Sequence, residues 1–181
     1  MGGRLVLVVG PSGAGKDTLI NKAKEALKGD PGVHLVRRVV TRAADADLED
    51  HDTMSAAAFA QAKSRGAFAL SWEAHGLSYG IPAGIDREIA AGCIAVANAS
   101  RRMIGDAMLH YPGAQIVLVD APLDVRAARL AGRGRESLAE VSARLGREAT
   151  LPAGINVTRI DNSGDVEAAL AAFLAALRSA N

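Results

Sequence analysis

The chain has 181 residues, 49% hydrophobic but only 3% aromatic, enough for one compact core built from Ala, Val, Leu and Ile. Its net charge of +1 gives no general electrostatic case for nucleic acid. Neither a long apolar run nor a signal-peptide pattern marks a membrane partner, so a cytoplasmic protein is expected. Cys93 is the one cysteine; it forms no intramolecular disulfide and reads as a small buried hydrophobe in a reducing compartment.

The first element is an apolar run over 4–9, a strand buried on both faces. It leads into Gly10, Pro11, Ser12, Gly13, Ala14, Gly15 and Lys16, a phosphate-binding loop of the Walker A type. The glycines let several backbone N–H groups converge on one anion. Lys16 then reaches the β- and γ-phosphates of a nucleotide, and a helix over 17–27 adds its positive N-terminal end. The bland alternative is a glycine turn that binds nothing; strand, loop, lysine and helix in the required order argue against it. The usual loop continues with Ser or Thr, whose hydroxyl binds Mg²⁺. Here Asp17 follows, then Thr18. Asp17 either holds the metal through a water or caps the helix, and Thr18 is the other source of a metal ligand.

A β-branched strand is expected over 33–40. Residues 41–82 interrupt the alternation with a polar start, a helix over 55–65 and strand-like pieces over 68–75 and 77–81. They read as a substrate lobe inserted into a core of 1–40 and 83–181. Further strands are expected over 93–98, 115–120 and 157–161. Helices are expected over 122–130, with proline in the first turn, over 138–148 and over 166–177. Residues 131–137 are short, basic and glycine-bracketed, as a mobile lid would be. The order predicts a single α/β domain, a parallel sheet with helices on both faces.

Sixteen of the 21 basic residues are Arg. The guanidinium fork suits phosphate, but a GC-rich genome gives the same bias, so only placement counts. Arg133 and Arg135 in the lid are placed to close over a transferring group. Arg144 and Arg147 share a face of the following helix, which either points into the cleft, making Arg144 catalytic, or pairs with Glu140 and Glu148 at the surface. Arg37 and Arg38 alternate across a strand, so at most one faces the pocket, and Arg38 is chosen. Ligands of open α/β sheets bind at the C-terminal strand ends. That makes Asn98, Ser100 and Arg101 wall residues, and turns Asp161 and Asn162 toward adenine. Asp45 and Asp47 read as a solvated loop, His34 and His110 as incidental, and Trp72 as packing. No spacing suggests zinc.

G-P-S-G-A-G-K with Leu19, V-V-T-R at 39–42, D-H-D-T-M-S-A-A-A-F at 50–59, G-A-F-A-L-S-W at 66–72, H-G-L-S-Y-G at 75–80 and R-L-A-G-R-G at 129–134 together resemble the guanylate kinase branch of the nucleoside monophosphate kinases. The resemblance spans about 4–178. It implies substrate contacts at Arg42, Asp50, His51 and Tyr79, with Asp50 and His51 serving sugar hydroxyls or a second Mg²⁺. Where that branch reads guanine with Ser and Glu, this chain has Arg38 and Ser71; where it holds phosphate with Tyr and Arg, it has His51 and Asp45. Ser71 lacks the charge to accept from a guanine edge. A pocket mouth carrying Arg37, Arg38 and Arg42 suits a phosphorylated sugar better.

The set G-P-S-G-A-G-K-D-T, R-R-V-V-T-R, E-D-H-D, F-A-L-S-W-E-A-H-G-L-S-Y-G-I-P and N-A-S-R-R is similar to the ribose 1,5-bisphosphate phosphokinase family. That similarity implies transfer of the γ-phosphoryl group of ATP, with Mg²⁺, to ribose 1,5-bisphosphate, giving 5-phosphoribosyl 1-diphosphate in phosphonate breakdown. In that family an Asp after the loop lysine is as expected. Two rival readings stand beside it: a GMP-type nucleoside monophosphate kinase, and a non-catalytic binding module, which the surviving Lys16 and loop glycines disfavour. No feature of the residues speaks to oligomeric state.

Overall fold

The computed structural model describes residues 2–42, 51–132, 151–152 and 154–179. Strand β1 (Arg4–Val9) is the centre of a five-stranded parallel sheet. On one side lie β7 (Ile94–Asn98) and then β2 (Val33–Leu35); on the other lie β8 (Gln115–Asp120) and then β9 (Val157–Asp161). Leu5, Leu7 and Val9 enter one buried cluster, and Val6 and Val8 the other. Successive side chains of a strand point to opposite faces, so a run apolar at every position is what a strand covered on both sides requires.

Helix α1 (Lys16–Ala26) and the last described helix, α6 (Val166–Arg178), cover one face through Leu19, Ala23, Phe173 and Leu177. The other face is covered by α3 (Ile85–Ala90) and by α4 (Ile104–His110), which continues a 3₁₀ turn (Arg101–Met103). Helix α5 (Leu123–Ala131) follows β8. Local signals set most boundaries. The Asp165 carboxylate accepts from Glu167 N and starts α6. The α3 and α4 helices are additions to the elements expected from sequence; both are short, and their apolar pattern is too brief to show a period.

A second, four-stranded sheet has the order β4 (Asp52–Thr53), β3 (Val39–Val40), β6 (Leu77–Pro82), β5 (Phe68–Ala74). Helix α2 (Ala56–Ser64), capped by the Ser55 hydroxyl, packs on it, and Phe59 stacks on Phe68 with ring centroids 4.5 Å apart. β5 and β6 form a hairpin whose tip is His75 and Gly76, both at positive φ, as a two-residue turn matched to strand twist demands.

The expected single strand over 33–40 is in fact two. β2 pairs with β7 in the core sheet, whereas β3 pairs with β4 and β6 in the second sheet. Residues 36–38 carry the chain between them, so the second sheet begins two residues before the expected start of the lobe. The two sheets compete for one β-branched run, and local propensity does not record that competition.

Candidate active site

The chain leaves β1 toward β7 and β2 on one side and later toward β8 and β9 on the other. A crevice therefore opens at the C-terminal end of β1, and the 10–16 loop sits there. Gly13 and Gly15 have φ of 80° and 85°, a left-handed region costly for residues with a Cβ. A Cβ at Gly13 would lie 2.7 Å from the Arg126 carbonyl oxygen, and one at Gly15 would strike the Asn162 side-chain amide. Lys16 Nζ donates to Gly10 O at 2.9 Å and Pro11 O at 3.1 Å, so its ammonium is curled over the loop.

Helix α1 begins at Lys16 with Gly15 as its cap, and no side chain caps it. The expectation that Asp17 caps this helix is therefore corrected. Asp17 lies two residues past the capping position, and its Oδ1 accepts from Asn98 Nδ2 at 2.6 Å instead. Thr18 is exposed. Among the described residues there is no group of three His, Cys, Asp or Glu able to hold a metal. One carboxylate beside a phosphate loop nonetheless fits Mg²⁺, which binds through one or two carboxylates and substrate phosphates rather than an all-protein cage.

Asp17, Lys24, Arg37, Arg38 and Asn98 line a cleft between α1 and the β2–β3 crossover. The Arg38 guanidinium lies 5.1 Å from the centre of the Tyr79 ring, and Tyr79 stacks on Trp72 at 5.3 Å. Arg38 Nη1 also donates to Asn98 O at 3.4 Å. Arg37 is exposed and pairs with Asp52 at 3.1 Å. Both arginines line the cleft and both lie in the crossover rather than in a strand, so the strand alternation expected to choose between them does not apply.

Other residues are dispersed or differently engaged. Ser71 pairs with Gly80, next to the Trp72–Tyr79 pair; strand alternation puts it on the opposite face from the Tyr79 ring. His51 is buried. Ser100 accepts from Arg102 N at 3.3 Å and caps the 3₁₀ turn that contains half-buried Arg101. Asn162, expected to face adenine, is instead buried beneath the loop, its Nδ2 donating to Ala14 O at 2.7 Å. Cys93 is half-buried rather than buried, with Sγ 3.3 Å from Pro31 O. Asp50, Arg133, Arg135, Arg144, Arg147 and the acidic Asp45 and Asp47 lie outside the described residues, as does the helix expected over 138–148.

Two arginines brace the loop from α5: Arg126, which lies in no sequence motif, and Arg129, which appears in the sequence only as the start of the R-L-A-G-R-G motif. Arg126 is buried, donating from Nε to Ala121 O at 2.9 Å, and its backbone abuts Gly13. Arg129 donates from Nη2 to Asn162 O at 2.8 Å, and its buried Nη1 has no hydrogen-bond partner among the described residues. A signal existed for the first: Arg126 and Leu130, four apart, share the buried face of α5.

The parallel sheet, Walker A loop and side sheet define a P-loop kinase fold. A guanylate kinase from Anaplasma phagocytophilum superposes with a TM-score of 0.72 at 18% identity, covering 98% of this chain and 85% of that one. A gluconokinase from Sinorhizobium meliloti gives 0.55 at 17%, covering 96% and 91%. No family model matches the chain. A ribose 1,5-bisphosphate phosphokinase PhnN from Brucella melitensis is 50% identical over 173 residues, 95% of this chain and 90% of that protein. Proteins of the same name from Agrobacterium fabrum and Methylobacterium radiotolerans are 46% and 44% identical, covering 90% and 99% of this chain and the same shares of their own lengths. The chain belongs to the ribose 1,5-bisphosphate phosphokinase family.

Proposed function

We propose that the protein transfers the γ-phosphoryl group of ATP to the 1-phosphate of ribose 1,5-bisphosphate, giving ADP and 5-phosphoribosyl 1-diphosphate, as a cytoplasmic step of phosphonate breakdown. Family membership supports the reaction. The observation that carries the acceptor is Arg38, whose guanidinium sits over the Tyr79 ring, 5.1 Å from its centre, and donates to Asn98 O. A fixed cation at that place favours a phosphate over a neutral base edge.

The attacking oxygen belongs to a phosphate already ionised at neutral pH, so no general base is needed. Catalysis reduces to alignment and charge neutralisation about a loose transition state. The 10–16 loop and Lys16 bind the β- and γ-phosphates, and Mg²⁺, when bound, neutralises charge between them. Arg38 and Arg42 grip the acceptor, with Asp50, His51, Tyr79, Asn98 and Arg101 around it. Ser71 belongs to this set through its place in the sequence, by removing a guanine reader rather than by touching sugar. Arg133, Arg135 and Arg144, which lie outside the described residues, are assigned by their place in the sequence: the first two to a lid over the transferring group, the third to the cleft.

The test is a panel of acceptors with ATP and Mg²⁺, the product read by phosphorus NMR. Ribose 1,5-bisphosphate is expected to yield a diphosphate at C1, and Lys16→Ala to abolish turnover while leaving the fold intact by circular dichroism. Rapid ADP release with GMP, and none with the sugar bisphosphate, would overturn the reading in favour of a nucleotide kinase.

A further inference from the structure

In P-loop enzymes generally, the metal is held by a hydroxyl that follows the loop lysine and by an aspartate at a strand end. This chain has the two chemistries at exchanged places. The residue after Lys16 is the carboxylate Asp17, and β7, the strand directly beside β1, ends in the neutral amide Asn98. Asn98 sits level with Val8 in the parallel register, two residues before the loop begins. The two side chains meet at 2.6 Å, Asn98 Nδ2 donating to Asp17 Oδ1. We infer that Asp17 and Asn98 form a transposed metal clamp, in which the carboxylate is supplied by the helix and its orientation by the strand.

Three features support the exchange. The carboxylate lies in the first turn of α1, where the helix end favours negative charge. The amide fixes one carboxylate oxygen and leaves Oδ2 without a hydrogen-bond partner among the described residues, as a positioning partner of a metal ligand does. Asn98 also accepts from Arg38 through its backbone oxygen, so the same residue touches the donor side and the acceptor side. Exposed Thr18 has no part in the clamp. The other candidate carboxylate is Asp120, which ends β8 across β1; its Oδ1 accepts from Ala121 N.

The inference rests on the kinase reading but not on the acceptor, so its test omits the acceptor. Binding of a non-hydrolysable ATP analogue is measured by calorimetry with Mn²⁺ and with chelator, and bound Mn²⁺ is followed by electron paramagnetic resonance. Asp17→Asn keeps the shape and removes the charge; it is expected to lower Mn²⁺ affinity of the nucleotide complex about tenfold or more, while affinity in chelator changes little. Asn98→Ala is expected to cost about tenfold through lost positioning. The exchange Asp17→Ser with Asn98→Asp restores the ordinary arrangement and is expected to recover most of what Asp17→Ser alone loses. Asp120→Asn is expected to leave Mn²⁺ affinity unchanged. An exchange variant that folds but binds Mn²⁺ no better than Asp17→Ser, or a loss on Asp120→Asn equal to that of Asp17→Asn, would overturn the clamp. An inactive sugar bisphosphate with an intact Mn²⁺ result would instead refute only the acceptor assignment.

Discussion

Single residues around the loop are held by geometry that admits little change. Gly13 combines a left-handed backbone with a Cβ position 2.7 Å from the Arg126 carbonyl oxygen. Gly13→Ala must either strain φ or push the loop off α5. Its expected cost is about 1–3 kcal/mol, read as a lower denaturant midpoint together with weaker ATP binding. Gly29 also has positive φ but open space around its Cβ position, so Gly29→Ala separates backbone strain from collision. Arg126 and Arg129 are a different kind of residue. Each donates to a backbone carbonyl beside the loop, Arg126 to Ala121 O and Arg129 to Asn162 O, a role that composition does not reveal because an arginine on a helix usually faces solvent.

Among the elements, the crossover between β2 and β3 lines the cleft proposed for the acceptor. It places Arg38 against a ring pair that β5 and β6 hold in register, Trp72 opposite Tyr79. Arg38→Ala is expected to raise the KM of the phosphorylated acceptor about 10- to 100-fold, the range for loss of a charge-assisted contact, with the KM of ATP nearly unchanged. Tyr79→Phe keeps the stack and is expected to affect the acceptor KM less than Arg38→Ala; steady-state kinetics on the two variants decides the order. A larger effect of Tyr79→Phe would mean that the hydroxyl, not the platform, is the working part. The same crossover explains why the run over 33–40 misled as one strand: each half reads as β, and only pairing partners tell them apart.

At the scale of the molecule, the two sheets share one core. Leu70 and Ile81, from the strands of the second sheet, lie in the same buried cluster as Leu5, Leu7, Ala95 and Ile116 of the central sheet. A lobe with an independent core would unfold by itself; this one is expected to unfold with the rest in a single cooperative transition, coincident by circular dichroism and by fluorescence of Trp72. Two resolved transitions would contradict the shared core. On the opposite face, Phe173 is fully buried against α1 and the sheet. Phe173→Ala is expected to cost about 3–5 kcal/mol, a large share of the stability of a domain this size.

The sequence by itself determined the phosphate loop, the parallel α/β architecture and the boundaries of β1 and β8, because each is written in local patterns: glycines at fixed offsets, apolar runs, and strands alternating with helices. It also determined the family, since the departures at Arg38, Ser71 and Asp17 are themselves a signature. The tertiary structure decided which residues meet. It moved Asn162 from the nucleotide to the underside of the loop, Ser100 from the pocket wall to a turn cap, and Ser71 to the far face of its sheet, and it joined Asp17 to Asn98 across 81 positions. Such pairings depend on how strands are ordered in space, and strand order is fixed by burial over the whole chain rather than by any segment of it.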